Sequence, residues 1–175
     1  MPSRHLLLVG LSGSGKSTVG QLVADGLGAT LFDIDQLLVR QMGMPVSQMF
    51  GMLGEPEFRR MERDAVTAAW NAEGPSIIVP GAGWAAQPGQ MEAGKARSLT
   101  FYLQCPPGVA ARRLEQGEVR PLLAGVDPEQ RLATQLKDRE PFYRLAEYEV
   151  AAGKRPAAEV AAEVVALARR HGGWQ

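Results

Sequence analysis

The sequence predicts an α/β fold of three layers, with helices on both faces of a five-stranded parallel sheet. Short apolar runs alternate with longer stretches that repeat apolar residues at 3.6 spacing, the pattern of strands and covering helices. The first apolar run passes directly into Gly10-Leu11-Ser12-Gly13-Ser14-Gly15-Lys16-Ser17, which is G-x-x-x-x-G-K-S. Residues with chemistry follow at least three of the runs, and an open α/β sheet binds ligands at the carboxyl ends of its strands.

Taken in order, His5 to Val9 reads as a buried strand. The helix after the glycine-rich loop carries Val19, Leu22, Val23 and Leu27 on one face. Ala29 to Asp33 is the second strand, Gln36 to Met42 a short helix, and Val46 to Leu53 another segment. Gly54-Glu55-Pro56 breaks the chain before a long helix from about Glu57 to Ala72, which Gly74-Pro75 ends. Ser76 to Val79 is the third strand, closed by Pro80-Gly81-Ala82-Gly83, and Leu99 to Leu103 is the fourth. A helix runs from Pro107 to about Leu114. Gly117 to Val126 lacks periodicity and reads as a mobile loop. Pro128 to about Arg139 is helical, Tyr148 to Ala151 is the fifth strand, and residues 156–170 form an amphipathic C-terminal helix. Gly172 to Gln175 is expected to fray.

A chain of 175 residues, 45% hydrophobic and 22% charged, is expected to form one domain with a substantial core. Nineteen basic residues balance nineteen acidic ones, which argues against salt-driven nucleic-acid binding. Cys105 is the only cysteine, so an intrachain disulfide and cysteine-based metal clusters are excluded, and a buried thiol is expected. No run reaches membrane-spanning length and the N-terminal run is too short for a signal peptide; the expectation is a soluble cytoplasmic protein without a membrane partner.

The glycine-rich motif has a direct physical reading. Gly10, Gly13 and Gly15 allow backbone N–H groups to turn inward on phosphate oxygens, and the following helix adds the positive end of its dipole. Lys16 reaches the β- and γ-phosphates, the Ser17 hydroxyl holds Mg²⁺, and Ser12, Ser14 and Thr18 complete the nucleotide cradle. Asp33 and Asp35, two apart at the end of the second strand, are expected to face the same side.

Further motifs occur in order: Phe32-Asp33-Ile34-Asp35, Gly54-Glu55-Pro56-Glu57-Phe58-Arg59, Gly81-Ala82-Gly83, Arg120-Pro121-Leu122-Leu123 and Arg139-Glu140-Pro141-Phe142-Tyr143. With the P-loop, the chain from Leu6 to about Leu167 resembles shikimate kinase, a small P-loop kinase of the nucleoside-monophosphate-kinase type. The resemblance implies transfer of the ATP γ-phosphoryl group to the 3-hydroxyl of shikimate, in aromatic amino-acid biosynthesis, by a monomer. It implies a substrate-binding helical subdomain at about 35–62 and a mobile lid at about 113–126.

Residue roles follow from the same resemblance. Asp33 orients Mg²⁺, and Asp35 binds the acceptor hydroxyls and serves as base if one is needed. Arg59 and Arg139 grip the acceptor carboxylate, for which planar guanidinium groups are suited. Gly81, Ala82 and Gly83 line the acceptor. Arg120 closes over the nucleotide and stabilises charge on the transferring group. Arg113 stacks on adenine, and Arg155, in the Lys154-Arg155-Pro156 turn, lies beside it.

Some features depart from the family pattern. Alanine at 82 would cost about 1–2 kcal/mol if the position required a left-handed backbone. Trp84 is larger than expected and is assigned to the core. Tyr143-Arg144-Leu145-Ala146 lacks an acidic residue two after the tyrosine. A gluconate kinase would share the P-loop, but Phe32 to Leu37 lacks the Gly and His of its D-G-D-x-L-H. A catalytically dead nucleotide-binding module is the remaining alternative. It sits poorly with the presence of Lys16, Ser17, Asp33, Arg120 and Arg139 together.

Overall fold

The computed structural model describes residues 2–116 and 127–175. Five strands form one parallel sheet: β1 (His5–Val9), β2 (Thr30–Asp33), β3 (Ser76–Val79), β4 (Ser98–Gln104) and β5 (Tyr148–Ala151). Their spatial order is β2-β3-β1-β4-β5, so β1 lies at the centre and the loop after it emerges mid-sheet.

The alternation of side chains across the central strand makes two cores. Leu6 and Leu8 face α1 (Lys16–Leu27) and α8 (Ala157–His171), where they meet Val19, Val23, Val160 and Val164. Leu7 and Val9 face the other layer, with Ile34, Leu38, Met49, Phe58, Trp70, Trp84 and Tyr143. That layer contains α2 (Ile34–Met42), α3 (Val46–Leu53), α4 (Glu55–Asn71), α5 (Gln90–Arg97) and α7 (Pro128–Tyr143). A third cluster, Cys105, Ala110, Ala111 and Leu132, ties α6 (Pro107–Gln116) to α7. Trp84 is fully buried and the Cys105 thiol is buried, as the sequence predicts.

Several boundaries differ from expectation. α4 starts at Glu55 rather than Glu57, because Pro56 sits in the first turn where a missing N–H costs nothing. α5 was not anticipated: only Met91 and Gly94 are buried, so its sequence shows no apolar stripe. α7 continues past Arg139 and through Pro141 to Tyr143, whose burial holds the last turn in place. The C-terminal residues do not fray. Arg4 N donates to Gly172 O (2.8 Å), Trp174 Nε1 donates to Arg4 O (2.9 Å), and the indole packs against the first core.

Candidate active site

The phosphate cradle forms where β1 meets α1. Gly10, Gly13 and Gly15 have φ of 153°, 79° and 93°. A Cβ on Gly10 would lie 2.7 Å from Leu103 O, and one on Gly13 would lie 2.5 Å from Ala110 O. Glycine is therefore required at both by conformation and by space. Lys16 is buried, and its ammonium donates to Gly10 O (2.8 Å) and Leu11 O (2.7 Å). Burial lowers its pKa from the ordinary 10.5 to about 8, against the pull of Asp35 and Asp33 and with a smaller push from Arg139. Ser14 Oγ is buried without a hydrogen-bond partner inside the loop. Ser12 is partly buried, and Ser17 and Thr18 lie exposed at the start of α1.

The two aspartates are seated differently from the expectation that both project from the end of one strand. β2 ends at Asp33, so Asp35 does not extend the strand but sits in the first turn of α2. Asp33 caps that helix, its Oδ1 accepting from Gln36 N at 3.3 Å. Its Oδ2 is buried with no hydrogen-bond partner. Asp33 shares a cavity of about 380 Å³ with Ser17, Thr18, Gln21 and Gln36. A buried carboxylate oxygen with no partner among the described residues, on a residue that lines one cavity with a serine, offers hard oxygen donors that fit Mg²⁺, which keeps several waters and takes few protein ligands.

A second group of side chains meets the turn after β3. Gly81, Ala82, Gly83 and Trp84 form a β-turn, with Trp84 N donating to Gly81 O at 3.1 Å. Ala82 has no positive φ, so the expected strain of alanine there does not arise. The Arg59 guanidinium lies against Gly83; a Cβ at that glycine would come within 2.3 Å of Nη2. The Asp35 carboxylate lies against Gly81, with Oδ1 2.8 Å from the place of a Cβ. Arg139 is partly buried on α7, bonds Gln135 through Nη1 (3.5 Å), and is close enough to Tyr143 and Lys16 to perturb both. Thus Arg59, Asp35, Arg139 and the 81–83 turn are brought together beside Lys16.

Two members of this group had no role assigned from sequence. Glu62 is fully buried, its Oε1 accepting from Arg59 Nη1 at 2.9 Å and its Oε2 from Gly81 N at 3.2 Å. Burial raises the Glu62 pKa, opposed by the Arg59 charge. Its spacing of three from Arg59 on a predicted helix was the available signal. Tyr143 donates to Ala82 O at 2.5 Å, and burial raises its hydroxyl pKa to about 12.

The remaining sequence candidates lie on the nucleotide side or elsewhere. Arg113 turns inward in the last part of α6. Its Nη1 donates to Ser14 O (3.0 Å) and its Nη2 to Ala152 O (2.9 Å), joining the cradle to the end of β5. Arg155 is engaged by α8, with Nη1 on Glu163 Oε2 (2.6 Å) and Nε near Glu159 (3.8 Å). Arg120 and the 117–126 loop lie outside the described residues.

A central-strand phosphate cradle, a cation-compatible aspartate and an arginine-rich pocket a lysine away define a P-loop phosphotransferase. The family model for shikimate kinase matches residues 12–169. Shikimate kinase from Caldanaerobacter subterraneus subsp. tengcongensis is 35% identical over 162 residues, covering 93% of this chain and 94% of the relative. That from Mycobacterium avium is 39% identical over 140 residues, covering 80% of this chain and 78% of the relative. The solved structure of shikimate kinase from Acinetobacter baumannii in complex with shikimate superimposes with a TM-score of 0.87 at 30% identity, over 96% of this chain and 94% of that one. A gluconokinase from Sinorhizobium meliloti, 19% identical with a TM-score of 0.61 over 98% and 94% of the two chains, shares the fold alone. The chain belongs to the shikimate kinase family.

Proposed function

We infer that this protein transfers the γ-phosphoryl group of ATP to the 3-hydroxyl of shikimate. What carries the reading is the meeting of Arg59, Arg139 and Asp35 at the 81–83 turn, next to the buried Lys16 ammonium. Two guanidinium groups and a carboxylate match an acceptor that bears one carboxylate and several hydroxyls. Each charge-assisted bond to the carboxylate contributes about 1.5–3 kcal/mol.

Phosphoryl transfer asks the protein mainly for alignment and charge neutralisation. Lys16, held by two loop carbonyls, places a cation at the β- and γ-phosphates. Asp35 accepts the hydrogen bond of the attacking hydroxyl and aims its oxygen. The orphaned Ser14 Oγ gains a phosphate partner on nucleotide binding. Ser17 and Asp33 would hold Mg²⁺, which supplies charge neutralisation to the triphosphate. Arg113 would frame the base from beneath the cradle, with Arg155 farther along the same edge. Arg120 is assigned to the transferring group on the family pattern. The same reading makes residues 35–62 the acceptor subdomain and 113–126 a lid, in one domain acting as a cytoplasmic monomer.

A coupled ADP-release assay with shikimate, gluconate and nucleoside monophosphates tests this. Turnover of shikimate alone is expected. Turnover of gluconate, or ATP binding without turnover of any acceptor, would overturn it.

A further inference from the structure

A turn with the sequence of residues 81–84 can be built in two backbone forms, and the structure holds one of them. Its central peptide joins Ala82 to Gly83. Type I and type II turns differ by a half-rotation of that peptide, and type II needs positive φ at the third residue, which glycine permits. Gly83 occupies that third position, so the sequence alone allows either form. In the structure neither Ala82 nor Gly83 has positive φ. The Ala82 carbonyl points to α7, where the Tyr143 hydroxyl donates to it at 2.5 Å. Rotation of the peptide would break this bond and leave a hydroxyl without its acceptor in a fully buried side chain.

The peptide is also a link between the two arginines. On one side, Gly83 supports the Arg59 guanidinium, which is held by Glu62, which in turn accepts from Gly81 N. On the other, Tyr143 follows Arg139 by one helical turn on α7, and both guanidinium groups act on its hydroxyl. The chain of contacts runs from α4 through the turn to α7 without a gap. The ring of Tyr143 packs on Tyr102, with centroids 5.2 Å apart, so the ring and the hydroxyl have separable duties.

We propose that Tyr143 is a positioning residue for the acceptor: its hydroxyl locks the Ala82–Gly83 peptide in one orientation and thereby sets Arg59 and Arg139 at the separation a carboxylate requires. The proposal rests on reading this pocket as the acceptor site. Tyr143 itself touches no reacting atom; it acts through the turn and through its contact with Arg139.

The test is Tyr143→Phe, which keeps the ring and removes the hydroxyl. The comparison is Tyr102→Phe, which removes the other hydroxyl of the pair, a donor to Glu140 at 2.8 Å that does not contact the turn. Loss of one neutral hydrogen bond corresponds to about five- to tenfold in affinity. Tyr143→Phe should raise the shikimate KM by about that factor, with kcat and the ATP KM within about twofold of wild type. Tyr102→Phe should leave all three within twofold. In protein labelled with ¹⁵N-glycine, the Gly83 amide resonance should shift or broaden in Tyr143→Phe and stay in place in Tyr102→Phe. An unchanged Gly83 resonance in Tyr143→Phe overturns the proposal, whatever the acceptor proves to be. So does an unchanged acceptor KM, or an equal rise in both variants, which would mean general loosening of α7. Absence of shikimate turnover by the wild type would instead sink the assignment of the acceptor, and the resonance would still decide the turn.

Discussion

Replacing Lys16 by methionine should abolish activity and remove an alkaline rise from the stability of the nucleotide-free protein. The ammonium is buried, and its pKa falls from 10.5 to about 8. Each unit corresponds to about 1.36 kcal/mol, so charging this group in the folded chain costs on the order of 3 kcal/mol more than in the unfolded one. Methionine fills similar volume without that cost. It also loses two charge-assisted hydrogen bonds, to Gly10 O and Leu11 O, of about 1.5–3 kcal/mol each. The loss and the relieved charging cost are of the same size, so the diagnostic quantity is the pH dependence of the difference and not its value at pH 7. The pH dependence has a fixed sign. Between about 8 and 10.5 the unfolded lysine is protonated and the folded one is not, so wild-type stability rises with pH across that window. Relative to the variant, the wild type should therefore gain about 2 kcal/mol between pH 7 and 9.5. Thermal melts at pH 7 and 9.5, with and without ATP, provide the measurement. Saturating ATP should raise the Tm of the wild type more than that of the variant at pH 7, because only the wild type gains the full phosphate contacts. A wild-type Tm that does not gain on Lys16→Met between pH 7 and 9.5 would refute the reasoning.

Three further outcomes are expected. Glu62→Gln should raise the shikimate KM about tenfold or more, since it leaves the buried Arg59 without its closest counter-charge. Because burial raises the Glu62 pKa, the wild-type shikimate KM should climb on acidification before ordinary carboxylates titrate; a pH series on both proteins should show that limb flattened in the variant. His5 Nδ1 accepts from Ser76 N (3.1 Å) and its Nε2 lies 3.1 Å from Trp70 O, which the neutral ring satisfies. Its folded pKa lies below 6.5, so stability is full above 6.5 and falls as pH drops through the folded value; melts of His5→Gln should lose that acid slope. Arg113→Ala should raise the ATP KM with little change in the shikimate KM, and Arg113→Lys should not rescue it, because one ammonium cannot span Ser14 O and Ala152 O as the guanidinium fork does.

Legibility in the sequence followed the range of the interactions involved. The P-loop could be read completely because its function is local: strand, three glycines, lysine and serine lie within 13 consecutive residues, His5–Ser17. The sheet could be read because each strand is a short apolar run between breakers, and all five appear within a residue or two of expectation. α5 could not, since it is stabilised by two buried positions, one of them Gly94, and offers no periodic face. The final residues misled for a related reason. Gly172-Gly173 looks like a frayed end, and only the tertiary groove between Arg4 and the first core gives Trp174 somewhere to go.

The acceptor pocket was legible as a set of residues but not as a device. Arg59, Asp35, Arg139 and the glycine turn are separated by up to 104 positions, from Asp35 to Arg139, and family motifs marked them one by one. What the motifs could not convey is the order of support. Glu62 and Tyr143 hold the turn from opposite sides, and each does so through a backbone atom, Gly81 N or Ala82 O, that carries no side-chain signature in the sequence. Ala82 illustrates the consequence. At the level of sequence it departs from a glycine triplet and threatens strain. In the fold it occupies the second position of a turn with negative φ, where alanine is at no disadvantage, and the conformational choice passes to Gly83. Gly83 differs from Ala82 in two ways: the guanidinium of Arg59 crowds the place of its Cβ, as Glu62 and Asp35 crowd that of Gly81, and rotation of its peptide is the freedom that Tyr143 has to restrain.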